Sequence, residues 1–271
     1  MAEPGSPGWS GPASSDEMYV GYLPTPEGHR RATRLAAAVL LCIAVCVAAA
    51  SAWRLRDPGP AVWDLSTRVT ERGLLRLAPY PHLVIGEERV LLGEEFKFGV
   101  QARLERLASG ATWAASADDL EGTVVQVSGW VMTRGVRRMI ALDPGAIGME
   151  LIDPPTGVIG AEAAMGAGVE RDVTLTGELL DGKCYLGAMK PGDGAAHRAC
   201  AMLCIRGGLP ALFIADSGDE RGRVYWATGG LGQGLGEDLV PLVARRVQVR
   251  GRERTLGQET VLFIESATPI R

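Results

Sequence analysis

Cys184, His197, Cys200 and Cys204 stand within a short stretch of the second half of the chain. Thiolate and imidazole are the donors that bind zinc and softer ions, and three cysteines with one histidine are an established tetrahedral set. If residues 195–206 are helical, side chains advance by about 100° per residue, and His197, Cys200 and Cys204 fall within roughly 60° of one another. Cys184, across a Pro191-Gly-Asp-Gly194 turn, is placed to supply the fourth donor. The expected metal set is therefore Cys184, His197, Cys200 and Cys204, holding zinc or, because thiolates also select it, copper(I).

Two other chemistries use the same residues. A disulfide from Cys184 to Cys200 or Cys204 would close a loop of about 20 residues and stabilise it by ~3 kcal/mol. It would leave one cysteine over and give the histidine no task. A reactive thiol is the third reading. Lys183 beside Cys184, and a helix start nearby, favour a thiolate, with His197 as the acid-base partner. The sequence leaves all three open and identifies no catalytic residue.

The elements around this stretch follow from local pattern. Asp193 is available to cap the Cys/His helix, and Gly207-Gly208 suits its end. That helix is short and rich in small residues, so it needs an external constraint to persist. Ahead of it, Val173, Leu175, Gly177 and Leu179 alternate with polar residues, the period-two signature of a half-buried strand. Leu209 to Ala215 and Arg223 to Thr228 read as a hairpin around Ser217–Gly222. A helix is expected at Glu237 to Arg245, then strands at Val247 to Arg254 and Glu259 to Ser266. The glycine-rich run 229–236 lacks the Lys-Ser/Thr pair of a phosphate loop and is set aside.

Strand, strand, strand, helix, strand, strand is the element order of the five-stranded Greek-key barrel known as the OB-fold. The Cys/His segment falls between the first and second strands, a loop that frames the binding face of such barrels. Residues 55–155 give a fainter copy. Strands are expected at Gly73 to Pro79, Leu83 to Ile85 and Arg89 to Leu92, a helix at Val100 to Leu107, and a hairpin from Gly122 to Leu142. Here Tyr80-Pro81 stands in place of the long insertion, and His82 is expected to be packed or solvent-facing rather than a ligand.

Leu35 to Trp53 carries no charge, and about 20 such residues cross a bilayer. His29, Arg30, Arg31 and Arg34 precede it and Arg54 and Arg56 follow, which favours a cytoplasmic N-terminus. Ala50-Ser51-Ala52 offers a signal-cleavage pattern, opposed by the long polar leader. Cys42 and Cys46 read as small apolar residues of the span. The leader itself reads as a disordered tail; Tyr19 and Tyr22 in it suit an interfacial anchor or a docking segment. The net charge of -4 provides no basic footprint for nucleic acid.

The run Gly177-Glu-Leu-Leu-Asp181-Gly-Lys-Cys184-Tyr-Leu-Gly-Ala-Met-Lys-Pro-Gly-Asp-Gly-Ala-Ala-His197-Arg-Ala-Cys200-Ala-Met-Leu-Cys204-Ile-Arg-Gly-Gly208 resembles a bacterial group of membrane-anchored or exported OB-like proteins without a settled activity. So does the opening Tyr-Val-Gly-Tyr-Leu-Pro followed by arginines and one span. The resemblance implies OB-like architecture and the importance of Asp181, Cys184, His197, Cys200 and Cys204.

The expected molecule is dominated by β-structure. It has a disordered cytoplasmic tail (1–32), a transmembrane helix (33–54) and two tandem OB-like Greek-key barrels (55–155 and 165–271). It is expected to sit in a bacterial inner membrane as a single-pass protein with its C-terminal domains periplasmic. Its expected role is binding or accessory, with a protein partner in a membrane redox complex. The alternative is a structural partner-binding module stapled by a disulfide.

Overall fold

The computed structural model describes residues 27–55, 61–154, 168–216, 222–230, 232 and 234–270. The tyrosine segment, nearly all of the leader, the Asp57–Pro60 linker and most of the 217–222 turn lie outside them.

Helix α1 (Glu27–Leu55) begins ahead of the arginine cluster. Within it His29–Ala52 has a mean hydropathy of 2.6 and is long and apolar enough to cross a membrane.

Residues 59–271 form a second unit, rich in strands. The first half holds β1 (Ala61–Arg76), β2 (His82–Ile85), β3 (Glu88–Glu94), helix α2 (Gln101–Gly110), β4 (Val124–Arg134), β5 (Arg137–Leu142) and β6 (Met149–Asp153). The second holds β7 (Glu170–Asp181), helix α3 (Arg198–Arg206), β8 (Ala211–Ala215), β9 (Val224–Gly229), β10 (Arg246–Leu256) and β11 (Glu259–Pro269).

The second set closes into a five-stranded barrel. β7 pairs antiparallel with β8 and β10, β8 with β9, and β10 with β11; β9 and β11 run parallel. In the first set β1 pairs antiparallel with β2 and β4, β2 with β3, and β4 with β5, while β3 and β5 run parallel. β6 extends this sheet along β4.

Glycines sit where strands approach too closely for a side chain. A Cβ at Gly129 on β4 would lie 2.1 Å from the Ala141 carbonyl oxygen, and one at Gly251 on β10 would lie 1.9 Å from that of Phe263. Both glycines face the strand that follows their own.

Two local expectations need correction, and one strand is additional. The helix expected at Glu237–Arg245 shrinks to a 3-10 turn, Val240–Leu242. Pro241 has no N–H to continue a helix, and the Ala244 N–H is taken by the Leu179 carbonyl at 2.8 Å. β1 starts at Ala61, well before Gly73. Its early half is irregular, with a register shift between Trp63 and Arg68 where Asp64 accepts the Ser66 N–H at 2.8 Å. That hides the alternation. β6 was not foreseen; Met-Glu-Leu-Ile-Asp is too short to show a period.

The two sets are packed together. Tyr80, Leu91, Met132, Met139 and Ala141 belong to the same apolar core as Leu212, Phe213 and Trp226. Tyr80 donates its hydroxyl proton to the Ala227 carbonyl, and Arg137 bonds both Glu259 and the Val224 carbonyl, each at 3.0 Å. A separate cluster, including Leu75, Leu83, Leu104 and Ile140, fills the first set's own interior.

Candidate metal centre

The chain leaves β7 at Asp181 and returns at Ala211; the excursion between them carries the Cys/His segment. It opens with a short π-type turn, Cys184–Ala188, in which Gly187 takes φ 152°. A Cβ at Gly187 would meet the Val62 carbonyl carbon at 2.7 Å, so only glycine lets this turn lie against β1. Arg134 adds a hydrogen bond to the Tyr185 carbonyl at 3.1 Å and stacks over the Tyr185 ring. Both contacts fix Cys184 at the head of the turn.

Helix α3 carries Cys200 and Cys204 one turn apart. It starts at Arg198 with His197 as its N-cap residue and no side-chain cap. The expected cap from Asp193 is therefore not made. Gly208, at φ 88°, supplies the left-handed residue at the other end. Gly207 serves a different purpose: a Cβ there would lie 1.9 Å from the Lys97 carbonyl oxygen.

The sulfur atoms converge. Cys184 Sγ is 3.9 Å from Cys200 Sγ, Cys200 Sγ is 4.0 Å from Cys204 Sγ, and the three lie within 4.8 Å of one another. All three cysteines are free thiols. A tetrahedral ion with metal–sulfur bonds of ~2.3 Å sets its sulfurs about 3.8 Å apart. The two spacings of 3.9 and 4.0 Å are close to that figure, so the three sulfurs could hold one ion.

His197 takes a different position. Its Nε2 is 2.5 Å from Asp181 Oδ2, with both side chains wholly buried. Its Nδ1 is 2.8 Å from Met189 Sδ. Asp181 Oδ1 also accepts the Cys184 N–H at 2.9 Å. Donor atoms of Asp181, Cys184 and His197 form a second group within 4.8 Å. The four residues singled out from the sequence are thus arranged as two clusters sharing Cys184: three sulfurs on one side, an imidazole–carboxylate pair on the other. His197 keeps helical backbone angles, φ -88° and ψ -14°, and its ring nitrogens lie beside Asp181 and Met189.

Charge arrives from the first set of strands. The loop after β3 brings Lys97 Nζ to 3.1 Å from Cys200 Sγ, and this contact raises the affinity of the ammonium for its proton. Lys183, almost fully buried, holds that loop in place. It donates to the Glu94 carbonyl at 2.5 Å, the Phe96 carbonyl at 2.9 Å and the Glu95 carbonyl between them. Burial lowers the Lys183 pKa. The loop is also tied to α3 by the Gly99 N–H, 2.7 Å from the Gly207 carbonyl.

The sulfurs influence one another. Hydrogen bonding to Cys204, then burial, pushes the Cys184 thiol up. The same bond from Cys184 lowers Cys204, aided by Cys200 and Lys97. Like charges this close resist joint ionisation.

His82, the other histidine of the strand region, is fully buried. Its Nδ1 is 2.8 Å from the Tyr80 carbonyl, and its ring meets Trp226 edge-on at 5.0 Å. It is a packed residue. Sequence reasoning did not find Lys97 or Met189. Lys97 left one signal, a lysine between Phe96 and Phe98; Met189 left none beyond its place inside the cysteine segment.

No protein-family model, curated protein or solved structure matches the chain.

Proposed function

We propose that this is a membrane-anchored metal-binding accessory protein that holds a soft ion on the thiolates of Cys184, Cys200 and Cys204. The observation that carries this reading is the sulfur spacing, 3.9 and 4.0 Å. Three thiolates suit trigonal copper(I). Zinc would take a further donor, and His197 reaches that role only by giving up one of its present contacts. The metal would supply the charge that allows all three sulfurs to ionise together, and Lys97 would offset the resulting negative charge.

The recurrent pairing order supports a reading of the strand region as two OB-like barrels in tandem, the second bearing the metal in its first loop. The cysteine motif supports membership in the bacterial group of OB-like proteins that it resembles. The span and its flanking arginines support an inner-membrane anchor with the N-terminus cytoplasmic and the barrels periplasmic. Thiolate ligands beside a membrane suit a subunit or assembly factor of a redox complex.

Metal analysis of the full chain, purified in detergent under reductant, tests the reading. One ion per chain is expected, with affinity falling at least ~100-fold (about 2.7 kcal/mol) in Cys204→Ser. Absence of metal from the wild type, or equal metal in a variant with all three cysteines replaced by serine, overturns it. Quantitative recovery of a Cys184 crosslink to Cys200 or Cys204 from unreduced peptides favours the structural module instead.

A further inference from the structure

Large apolar side chains stand in solvent beside the sulfur cluster. Phe96 and Phe98, in the loop after β3, are 70% and 61% exposed. Lys97 between them turns its ammonium to Cys200, 3.1 Å from Sγ. Leu203, one turn before Gly207 on α3, is also exposed, and Gly207 packs against the Lys97 carbonyl. Neighbouring apolar groups left in water mark a surface that meets another phase or molecule.

Contacts inside the strand unit join this loop to the start of β1. Lys183 donates to the Glu94, Glu95 and Phe96 carbonyls, and its ammonium lies 5.4 Å from the centre of the Trp63 ring. Gly187 lies against the backbone of Val62 and Trp63. Val62 and Leu65 are themselves exposed. The first residues of β1 and the Phe96 loop therefore share one end of the unit, linked through a single ammonium.

The covalent chain says what lies near that end. The apolar run of α1 closes at Ala52, and Arg54 is the first charge after it. From Leu55, where α1 stops, to Ala61, where β1 starts, the chain takes six residue steps, at most about 20 Å fully extended. A span leaves the hydrocarbon where its charges begin. With α1 in a bilayer, the link alone keeps the start of β1 within that reach of the headgroups. Phenylalanine is among the side chains that settle at the boundary of headgroups and acyl chains.

We propose that Phe96 and Phe98 insert into the headgroup layer of the membrane that α1 spans. The strand unit then rests on the lipid surface by the end that carries Cys200, and the sulfur cluster stands next to the bilayer. The inference depends on the anchor in the proposed function and is independent of the metal.

The rings can report their own surroundings. Phe96, Phe98, Phe213 and Phe263 are the four phenylalanines of the chain, and the last two are buried, so they serve as internal references. The full chain is made with para-fluorophenylalanine, placed in lipid nanodiscs and followed by fluorine NMR. Phe96→Leu and Phe98→Leu each identify one resonance; both side chains are exposed, so the fold should survive. Lipid spin-labelled near its headgroup is expected to relax the Phe96 and Phe98 signals several-fold faster than that of Phe213. If it does not, and a water-soluble paramagnetic chelate reaches both rings, they face water and the proposal is overturned. If neither agent reaches them, a second copy or another part of the chain covers them, and it is overturned equally. A chain that does not co-elute with the discs defeats the anchor reading and this inference with it. Metal content, measured on the same discs, bears on the thiolate reading alone.

Discussion

The two sets of strands pair in the same order, yet they differ where the first strand gives way to the second. In the first set that connection is Leu77 to Pro81, a short link ending beside the buried His82. In the second it runs from Gly182 to Pro210 and carries three cysteines, a histidine and a helix. The same pairing order thus occurs with and without the cysteine-bearing excursion. The strands provide a frame, and the excursion between two of them provides the donors. The frame with the short link is still not inert, since its loop after β3 delivers Lys97 to the sulfur cluster.

The largest effect, loss of metal on removing a cysteine, has been set out above; the same experiment on the short link, Tyr80→Phe, should leave metal content unchanged. Next comes Lys183→Met, which leaves the Glu94, Glu95 and Phe96 carbonyls without their common donor. A stability loss of about 3 kcal/mol is expected in urea unfolding of the full chain, with faster hydrogen exchange at residues 94–99. Unchanged exchange there would mean that the first set of strands does not depend on this lysine.

His82 tests the other side of the comparison through pH. Burial lowers its pKa from 6.5 to about 4, opposed in part by the Tyr80 carbonyl. The unfolded chain binds the proton first as pH falls, so the stability held by the neutral ring is complete above 6.5 and drains away towards pH 4. It amounts to about 3 kcal/mol. His82→Phe should flatten that part of the stability curve, measured by unfolding at a series of pH values. An unaltered slope would show that the ring is not buried neutral.

Matched alanine substitutions ask whether the two frames are built alike. Gly129→Ala and Gly251→Ala each force a Cβ onto a carbonyl of the following strand, and each should cost about 2 kcal/mol in thermal or urea unfolding. Unequal costs would argue that the glycines answer to different local needs. The smallest effect belongs to Lys97→Met. The side chain is exposed, so stability should change by less than ~0.5 kcal/mol, while metal affinity should fall a few-fold as the charge beside Cys200 disappears. Competition against a chromogenic chelator measures it.

Much of this was legible in the chain. Val173 to Leu179 alternate because one face of β7 meets a core, and the hairpin strands β4 and β5 show themselves by apolar runs about a Gly135 turn. Cys184, Cys200 and Cys204 announce themselves by type and spacing, and their sulfurs do approach. Helical spacing aligns His197 with Cys200 and Cys204, but only the tertiary fold shows Asp181 and Met189 at its ring nitrogens. Lys97 was invisible for a different reason. Its contact with Cys200 spans 103 positions and depends on how one set of strands packs against another.

By itself the sequence determined the apolar helix, the strand-rich character and which residues could bind a soft ion, since these follow from hydropathy, period and side-chain chemistry, all local properties. The tertiary structure alone decided that three sulfurs lie near 4 Å apart, that the imidazole faces Asp181 and Met189, and that a lysine from the other half stands beside Cys200. Convergence in space is set by strand pairing and close packing between distant segments, and no periodicity along the chain encodes it.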